Sequence, residues 1–465
     1  MNRCKLGWPW QWTIASLALV ELLNPLSGQG WGQRANAQQA TMVPEATAAA
    51  RVQQREKQER QVREENYDLQ QFPVVDQHAR HWRNILWTTA IVEPQHNYVE
   101  EAVIRILALS ERPRLSQPQR RTVLMAMQVG TQLYLSNSEF YNRIGDRLRQ
   151  TVERSRDPQW VAMALATLNQ AATRGKSKAL EVSEIQDLGN RVRARFPSWS
   201  RNVFLKTTLS DIDQATRATT IPPLKDLLNW TIAPHQIQVY VLCTPDRSVL
   251  CQTVVKDKNG QFVRTNGELW SIPLLLRSIH GLSWNFERGE TPQGIYRMEG
   301  VTPQPDLEYF RAFGQFDLVN LFVPFESGVK QFVPGRSGTL PGSIEAYQAL
   351  LPSSWRNYWP IQQTYWAGKS GRSLFRIHGS GEGVNFFPGK ENPDSADWNP
   401  TIGCLSALEV YDETGRLLQA DMPKLLNLLR QLGGNKFAGY VVVVEVPKEG
   451  KQPLTTAEIE AMIGS

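Results

Sequence analysis

The stretch IQVYVLCTPDRSVLCQTVVKDKNG, residues 237–260, decides the fold of the second half of the chain. Residues 237–242 carry the alternating, β-branched pattern of a strand. The turn residues Pro245-Asp246-Arg247 and a second β-branched run over 249–255 predict that this strand has a hairpin partner. The second run ends at Asn259-Gly260, which favours another tight turn. This part of the chain is therefore predicted to be β-rich.

Two cysteines lie in the two strands of this hairpin. With a three-residue loop at 246–248, Cys243 and Cys251 fall directly opposite each other, with Cα atoms about 4.5–5.5 Å apart. That separation is within reach of a disulfide. A two- or four-residue loop instead shifts the register by one residue and points the side chains to opposite faces. Cys243 and Cys251 are therefore a candidate disulfide, which an oxidising compartment would preserve.

The end of the chain continues the strand pattern. Residues 440–446 read YVVVVEV and predict a buried strand. Asp421 is predicted to cap a helix over 422–432 that closes at Gly433-Gly434. The last residues, 450–465, are predicted to be a tail with a short helix.

Residues 75–200 have a helical period instead. Asp157-Pro158 supplies an N-cap and a first-turn proline, and Gly175 stands where a C-cap glycine belongs. We predict about six helices stacked as hairpins, with prolines at 94, 113, 118 and 197 marking where helices stop. His78 and His81 have no nearby cysteine or further histidine, so no metal site is expected there. This helical module is interpreted as a packing or docking unit.

Two segments are predicted linkers. Residues 38–74 are rich in Gln and in charged groups, so they have little apolar surface to bury. Residues 201–224 separate the helical pattern from the strand pattern.

The N-terminal residues, 1–37, are typical of a secretory signal. Arg3 and Lys5 give the positive start, residues 12–20 the apolar centre, and Ala35-Asn36-Ala37 a small-x-small cleavage site. An uncleaved membrane anchor is the alternative, but the apolar run is short for about 30 Å of hydrocarbon. We therefore expect an exported protein of the periplasm or cell-wall space, with no transmembrane span in the mature chain.

Composition excludes several classes of function. The 465 residues include 51 Lys+Arg and 45 Asp+Glu, a formal net charge of +6, and the positive residues are scattered. No dense basic patch with interleaved aromatic residues occurs, so no nucleic-acid partner is expected. Four cysteines exclude a disulfide-rich mini-domain and most zinc-ribbon designs. The absence of an apolar run of about 18 residues excludes a multi-span membrane protein.

The chemistry-bearing residues are a histidine and a cysteine. His378 is followed by glycine, and Cys404 ends the string Thr401-Ile402-Gly403-Cys404. A thiol is a strong nucleophile only as thiolate, so it needs a cationic or basic neighbour, which a histidine supplies. Glycine at 403 allows a tight turn that aims backbone N–H groups at a developing oxyanion. A buried cysteine and a core histidine that never meet are the alternative.

These residues resemble the YkuD-type L,D-transpeptidases, whose signature is His-Gly followed by Ser/Thr-x-Gly-Cys, in that order. Residues 290–296, ETPQGIY, are similar to the Thr-Pro-x-Gly element of that family. The resemblance covers about residues 225–449. It implies a multidomain α and β protein, with an N-terminal all-α helical-hairpin module followed by a β-rich L,D-transpeptidase-like catalytic domain.

By this resemblance, Cys404 is the acyl-enzyme nucleophile and His378 the general base. The Gly379 carbonyl is implied to orient the imidazole, and the Gly403 and Cys404 N–H groups to form the oxyanion hole. The neighbouring substrate-binding candidates are Thr401, Arg376 and Ser406. Family members form 3–3 cross-links between peptidoglycan stem peptides and release the terminal D-residue of a tetrapeptide donor, so no cofactor and no metal are expected.

The sequence also departs from the family pattern. Ile402 stands where the family usually has a histidine, and Ser406 where an Arg or Asn is common. Two alternatives remain: a sortase-like transpeptidase, which needs an arginine on a strand soon after the cysteine, and a catalytically silent cell-wall-binding protein. The helical module would be the docking part in the second case, and it is a candidate site for a protein partner in either case.

Overall fold

The computed structural model describes residues 42–464, apart from 178–179, 216, 218–219, 305–308, 341, 382–394 and 449–451. The export signal predicted over residues 1–37 lies outside the described residues, as does part of the segment between His378 and Cys404. The helices and strands given below belong to one unit that begins at Met42.

The first half of this unit is helical. Its α-helices are α1 Ala48–Gln61, α2 Ala79–Val92, α3 Asn97–Ala108, α4 Gln117–Ser136, α5 Asn142–Arg154, α6 Pro158–Thr173, α7 Val182–Arg195 and α8 Val203–Ala215. Helices α2 to α7 account for the six predicted over 75–200. They are not stacked in chain order, because α2 packs on α4 and α3 on α5, while α5 packs on α6. The central helices α4 and α6 are apolar on nearly all sides and need neighbours all round.

Local signals set the ends of α6 as predicted. The Asp157 carboxylate accepts the Gln159 N–H at 2.9 Å, and Pro158 occupies the first turn. Gly175 has φ +61°, a left-handed conformation that costs glycine little. Pro118, in contrast, does not stop a helix as predicted. It lies in the first turn of α4, where a proline loses no hydrogen bond, behind the Ser116 capping box.

Both predicted linkers contain ordered structure. Residues 203–215, within the predicted linker 201–224, form α8, which packs on α6 because Leu205, Leu209 and Ile212 lie on one buried stripe. Residues 38–74 include α1, which is mostly exposed, as its composition predicted. The segment before α1 is anchored, since the Val43 N–H donates to the Gly415 carbonyl at 2.8 Å.

The second half contains the strands. They are β1 Ile237–Cys243, β2 Cys251–Lys256, β3 Arg264–Thr265, β4 Glu268–Leu269, β5 Ser271–Leu274, β6 Gly294–Thr302, β7 Leu318–Phe322, β8 Phe375–Gly379, β9 Leu405–Ala407, β10 Glu409–Tyr411, β11 Leu417–Ala420 and β12 Ala438–Glu445. The helices among them are α9 Leu224–Asn229, α10 Phe310–Phe313, α11 Ile344–Gln348, α12 Gln363–Lys369, α13 Met422–Gly433 and α14 Thr456–Gly464. The predicted hairpin, terminal strand, α13 and short tail helix are all present.

Eight strands form one nearly closed sheet in the order β5-β2-β1-β12-β6-β7-β8-β9. The two outermost strands approach each other, since Leu275 and Ser406 exchange two backbone hydrogen bonds of 2.9 Å. The β1–β12 and β8–β9 pairs are parallel, and the other pairs are antiparallel. This curvature brings β8 and β9, which carry the predicted catalytic residues, next to the end of β5.

One face of the sheet encloses an apolar interior. Alternate residues of the strands point into it together with Leu425, Leu429 and Met422 of α13. The outer face of β1, β6 and β12 is covered by a second apolar cluster, which includes Tyr347, Trp355 and Tyr365. Much of the aromatic segment between β7 and β8 is therefore hydrophobic core.

The structure contains the Cys243–Cys251 disulfide, with Cα atoms 4.2 Å apart. The β1–β2 register pairs Leu242 with Gln252, which puts the two cysteines opposite each other. The connection is longer than the predicted three-residue loop, because β2 begins only at Cys251. Asp421 also differs from its prediction: its side chain does not cap α13 but pairs with Lys424 at 2.7 Å.

Candidate active site

Of the predicted catalytic pair, His378 lies on β8, and Cys404 directly precedes the neighbouring parallel strand β9. Ile377 of β8 pairs with Leu405 of β9, and His378 pairs with Ser406. Ile377 and Leu405 point into the apolar interior. Since side chains alternate between faces, His378 and Ser406 lie on the outer face. Cys404 lies directly before β9, in the bend that follows Thr401.

The Cys404 thiol lies against the backbone of β8. Its Sγ is 3.8 Å from the Leu374 carbonyl oxygen and accepts the backbone N–H of Arg376. Burial raises the pKa of the thiol, while the Arg376 N–H and the charges of Arg376 and Arg372 act in the opposite direction. The thiol is therefore protonated at neutral pH, in a site where the charges of Arg376 and Arg372 lower its pKa and that of Glu326 raises it.

The His378 imidazole is held by the next residue. Its Nδ1 is 2.7 Å from the Gly379 carbonyl oxygen, as the resemblance implied. A carbonyl only accepts, so Nδ1 carries the proton and Nε2 holds the lone pair in the neutral ring. Burial and the charge of Arg376 together lower the pKa of His378 to about 4, although the hydrogen bond to Gly379 acts in the opposite direction. The imidazole is therefore a neutral base at pH 7.

The two groups do not contact each other in this conformation. One strand spacing and two residues along the strand separate their Cα atoms by about 8 Å. Among the described residues, the hydrogen bonds of the thiol are to β8 backbone and that of the imidazole is to Gly379. Proton transfer needs heavy atoms about 3 Å apart, so the thiol has to rotate away from the β8 backbone.

A tight turn presents Cys404. The Thr401 hydroxyl donates to the Cys404 carbonyl at 2.8 Å and accepts the Gly403 N–H at 3.1 Å. Gly403 has φ +119°, which a residue with a Cβ rarely adopts, and a Cβ there would collide with the Arg372 guanidinium. Thr401 thus fastens the turn. The Gly403 N–H predicted for the oxyanion hole is occupied in this conformation, which leaves the Cys404 N–H as the candidate donor.

Thr291 of the Thr-Pro-x-Gly element fastens the same turn from the other side. Its hydroxyl donates to the Gly403 carbonyl at 3.0 Å and lies 3.4 Å from the Cys404 carbonyl. The element therefore contacts the Gly-Cys turn directly, although the two are far apart in the sequence. The sequence motif identified Thr291 but did not reveal this contact.

Arg372 is a site residue that the sequence did not reveal. Its buried guanidinium donates to the carbonyls of Trp284, of Glu290 at 2.7 Å and of Gly289 at 3.0 Å. Burial lowers the pKa of Arg372 to about 10, which leaves it charged at neutral pH. It lies behind Gly403 and supplies one of the two positive charges near the thiol. No motif surrounds it, so only the three-dimensional fold identifies it.

Glu326 is a second residue near Cys404 that the sequence did not reveal. Its carboxylate accepts the backbone N–H groups of Leu374 at 2.8 Å and Val323 at 3.1 Å. Leu374 has φ +64°, a strained value for leucine, and its carbonyl faces the thiol. Burial raises the pKa of Glu326 to about 7, against these two N–H groups and the charge of Arg376. Glu326 therefore fixes the start of β8 against which Cys404 rests.

Glu409 supports the histidine end of β8. A Cβ on Gly379 or Gly314 would collide with its carboxylate, which explains a glycine after the histidine. The Tyr411 hydroxyl donates to Glu409 Oε2 at 2.6 Å, and the Gln315 N–H approaches the same oxygen at 3.3 Å. Burial raises the pKa of Glu409 to about 8. This buried acid packs directly beneath the His-Gly backbone.

The remaining substrate-binding candidates have different environments. Arg376 is half-buried, and its guanidinium donates to the Phe375 carbonyl at 2.6 Å. Ser406 is fully buried, and its hydroxyl has no hydrogen-bond partner in the described chain. The backbone of Ser406 instead closes the sheet against Leu275. A direct contact of Ser406 with substrate is therefore not available in this conformation, whereas Arg376 remains a candidate.

Metal ligation was not expected, and within the described ranges no group of three or more His, Cys, Asp or Glu side chains is arranged to bind a metal. His81 stacks on Phe72 and contacts the Asn66 carbonyl at 2.8 Å, so it is a packing residue. In the same part of the chain, no helix has the length and apolar character needed to span a bilayer.

No family model matches this chain, and neither a curated protein nor a solved structure is significantly similar to it.

Proposed function

We propose that this protein is a cysteine-dependent L,D-transpeptidase that acts on peptidoglycan stem peptides outside the cytoplasm. The observation that carries the proposal is the 2.7 Å contact between His378 Nδ1 and the Gly379 carbonyl. It leaves Nε2 as the basic nitrogen, on the strand β8 whose Arg376 N–H contacts the Cys404 thiol. A neutral base that a neutral thiol can reach by rotation is the pair that general-base catalysis requires.

Further support comes from the order and contacts of the motifs. The His-Gly string lies on β8, and the Thr-x-Gly-Cys string leads directly into β9, the parallel neighbour of β8 in a nearly closed sheet. The Thr-Pro-x-Gly element hydrogen-bonds to the Gly-Cys turn. These relations fit the L,D-transpeptidase-like fold that we propose for the β-rich part. Arg376 and Arg372 provide positive charge that stabilises a thiolate as it forms.

The proposed reaction has two acyl transfers. As Cys404 Sγ attacks the carbonyl of the third residue of a tetrapeptide stem, its proton moves to Nε2 of His378. The C–N bond to the terminal D-residue then breaks, the amine leaves with that proton, and a thioester remains. An amine of a second stem attacks the thioester and gives its proton to Nε2. The C–S bond breaks, the thiolate recovers the proton, and a 3–3 cross-link is released.

The oxyanion of each tetrahedral intermediate needs a donor close to the thiol. The backbone N–H of Cys404 is the proposed donor, because the Gly403 N–H is bonded to Thr401. Rotation of the thiol away from the Leu374 carbonyl would create the space that the donor carbonyl occupies. Substrate binding is expected to drive this rotation.

Turnover of a defined donor tests the proposal. A muropeptide with a tetrapeptide stem is incubated with the enzyme, and mass spectrometry follows the released D-residue and the cross-linked dimer. We expect both products from the wild type and neither from Cys404→Ser or His378→Ala, with circular dichroism showing that both variants remain folded. Products formed equally by Cys404→Ser would contradict the proposed nucleophile. Absence of products and of any Cys404 adduct in the folded wild type would instead support a silent wall-binding protein.

A further inference from the structure

A polar cavity lies between the helical half and the sheet. Its volume is about 180 Å³, and its wall includes residues of α6, α8 and the segments around β6 and β12. One water needs about 10–15 Å³ and a drug-sized ligand about 300–1,000 Å³, so the cavity suits a molecule the size of an amino acid. Five charged side chains line it: Arg174, Asp211, Arg247, Glu290 and Glu445.

Four of these charges are paired with each other. Arg174 makes a bidentate contact with Glu290, at 2.8 and 2.9 Å. Arg247 pairs with Glu445 at 2.8 Å. Each arginine thus compensates one carboxylate, and Asp211 remains as the fifth charge.

Asp211 has no cationic partner among the described residues. Its two oxygens accept indole N–H groups instead, from Trp359 at 2.7 Å and from Trp284 at 2.9 Å. Both oxygens are therefore acceptors, which suits an ionised carboxylate. Burial raises the pKa of Asp211 to about 7, against the two indoles. An ionised carboxylate in such a site gains strongly from a cation, because an unpaired buried charge is costly.

Two side chains of the wall carry an amide oxygen without a partner. Asn169 Oδ1 and Gln170 Oε1 accept no hydrogen bond from the described chain, but both atoms are sealed from the open space of the cavity. The Gln170 amide nitrogen donates to the Gly281 carbonyl at 3.1 Å, which fixes the orientation of that amide. The accessible wall thus offers one negative charge without a cationic partner among the described residues, that of Asp211, which matches the charge of a primary ammonium group.

We propose that this cavity binds a small ligand through a primary ammonium group, with Asp211 as its counter-ion. The group belongs either to a free amino acid or to the side-chain amine of a peptide. Thr291 lines the cavity and also hydrogen-bonds to the Gly403 carbonyl, so an occupied cavity adjoins the Cys404 turn. The binding proposal itself does not depend on the proposed transpeptidase activity.

Isothermal titration calorimetry of the full chain tests the proposed ammonium site. The four probes are methylammonium, D-alanine, Nα-acetyl-lysine amide and, as the anionic control, acetate. We expect saturable binding of the ammonium probes but not of acetate. D-alanine binding more tightly than acetyl-lysine amide would identify a free amino acid as the ligand class, and the reverse order would identify a peptide amine. Asp211→Asn should weaken binding at least about tenfold, the effect of losing one charge pair in a buried site.

Asp187→Asn, on the exposed side of α7, is the matched control and should bind as the wild type does. If Asp211→Asn does not fold, Ala166→Leu gives a second test, since it fills the cavity wall without touching an ion pair. Loss of ammonium binding in folded Ala166→Leu supports the site. Absence of binding of every ammonium probe to the wild type, or unchanged affinity in folded Asp211→Asn or Ala166→Leu, would overturn the proposal.

Discussion

Replacement of Arg372 by methionine tests whether a buried guanidinium organises the Cys404 turn. The substitution keeps a long apolar side chain but removes the donors to the carbonyls of Trp284, Gly289 and Glu290. Hydrogen bonds to a charged group contribute about 1.5–3 kcal/mol each, so their loss costs about 5–9 kcal/mol. Arg372→Met also removes a charge that is costly to bury.

The size of that opposing effect follows from the pKa of Arg372. Burial lowers it from 12.5 to about 10. At about 1.4 kcal/mol per pH unit, the charged form is disfavoured by about 3 kcal/mol, which the methionine recovers. The lost hydrogen bonds outweigh this gain, so the free energy of unfolding should fall by about 2–6 kcal/mol.

Urea unfolding, followed by tryptophan fluorescence, measures this change. Arg356→Met is the matched control, because Arg356 is exposed and its Nε donates to one backbone carbonyl, that of Leu351. The control should stay within about 0.5 kcal/mol of the wild type. Arg372→Met should also slow alkylation of Cys404 at a fixed alkaline pH, since the charge of Arg372 lowers the pKa of the thiol. An unfolding free energy as close to the wild type as that of the control would refute this role for Arg372.

Three further predictions concern other parts of the fold. Thiol titration of the denatured, unreduced protein without its signal segment should find one free thiol, because Cys243 and Cys251 are bonded; three free thiols would refute the disulfide. The buried Glu409 has a folded pKa raised to about 8, so its contribution to stability is complete below its unfolded pKa and is lost as the pH rises through about 8. Glu409→Gln should therefore flatten the fall in thermal stability between about pH 4.5 and 8, whereas the exposed Glu413→Gln should follow the wild type. Because burial lowers the pKa of His378 to about 4, the neutral base persists into acid, and the acid limb of Cys404 acylation should lie near pH 4; a limb near the ordinary histidine value would contradict a buried base.

The sequence predicted the elements whose signals are local. The β1–β2 hairpin, the β-branched run of β12 and the capped helix α6 each carry a complete pattern within a short stretch. Their packing depends on distant residues. Nothing near Leu275 or Ser406 indicates that the two join the ends of the sheet. The composition of α8 resembled a linker because only one stripe of it is apolar.

In the candidate site, too, the sequence reveals the residues that belong to local motifs but not the contacts that depend on the fold. The motifs selected His378, Cys404 and Thr291 as candidates from residue types and order. The contacts of Arg372 and Glu326 with the Cys404 environment arise from backbone atoms brought together by the fold, and hydrogen bonds to backbone leave no sequence signature. The oxyanion role of the Gly403 N–H stays a prediction, and in this conformation that N–H donates to a hydroxyl three residues before the cysteine.

Acylation of Cys404 by a carbapenem, read by intact-protein mass spectrometry, tests the central claim most directly. A carbapenem presents a strained acyl group to the nucleophile, so the measurement needs no knowledge of the natural acceptor. The account predicts one stoichiometric adduct on the wild type, none on Cys404→Ala, and formation on His378→Ala slowed by at least about a hundredfold, as expected for loss of a general base. A folded wild type that stays unmodified, or an adduct that forms equally fast without His378, would contradict it.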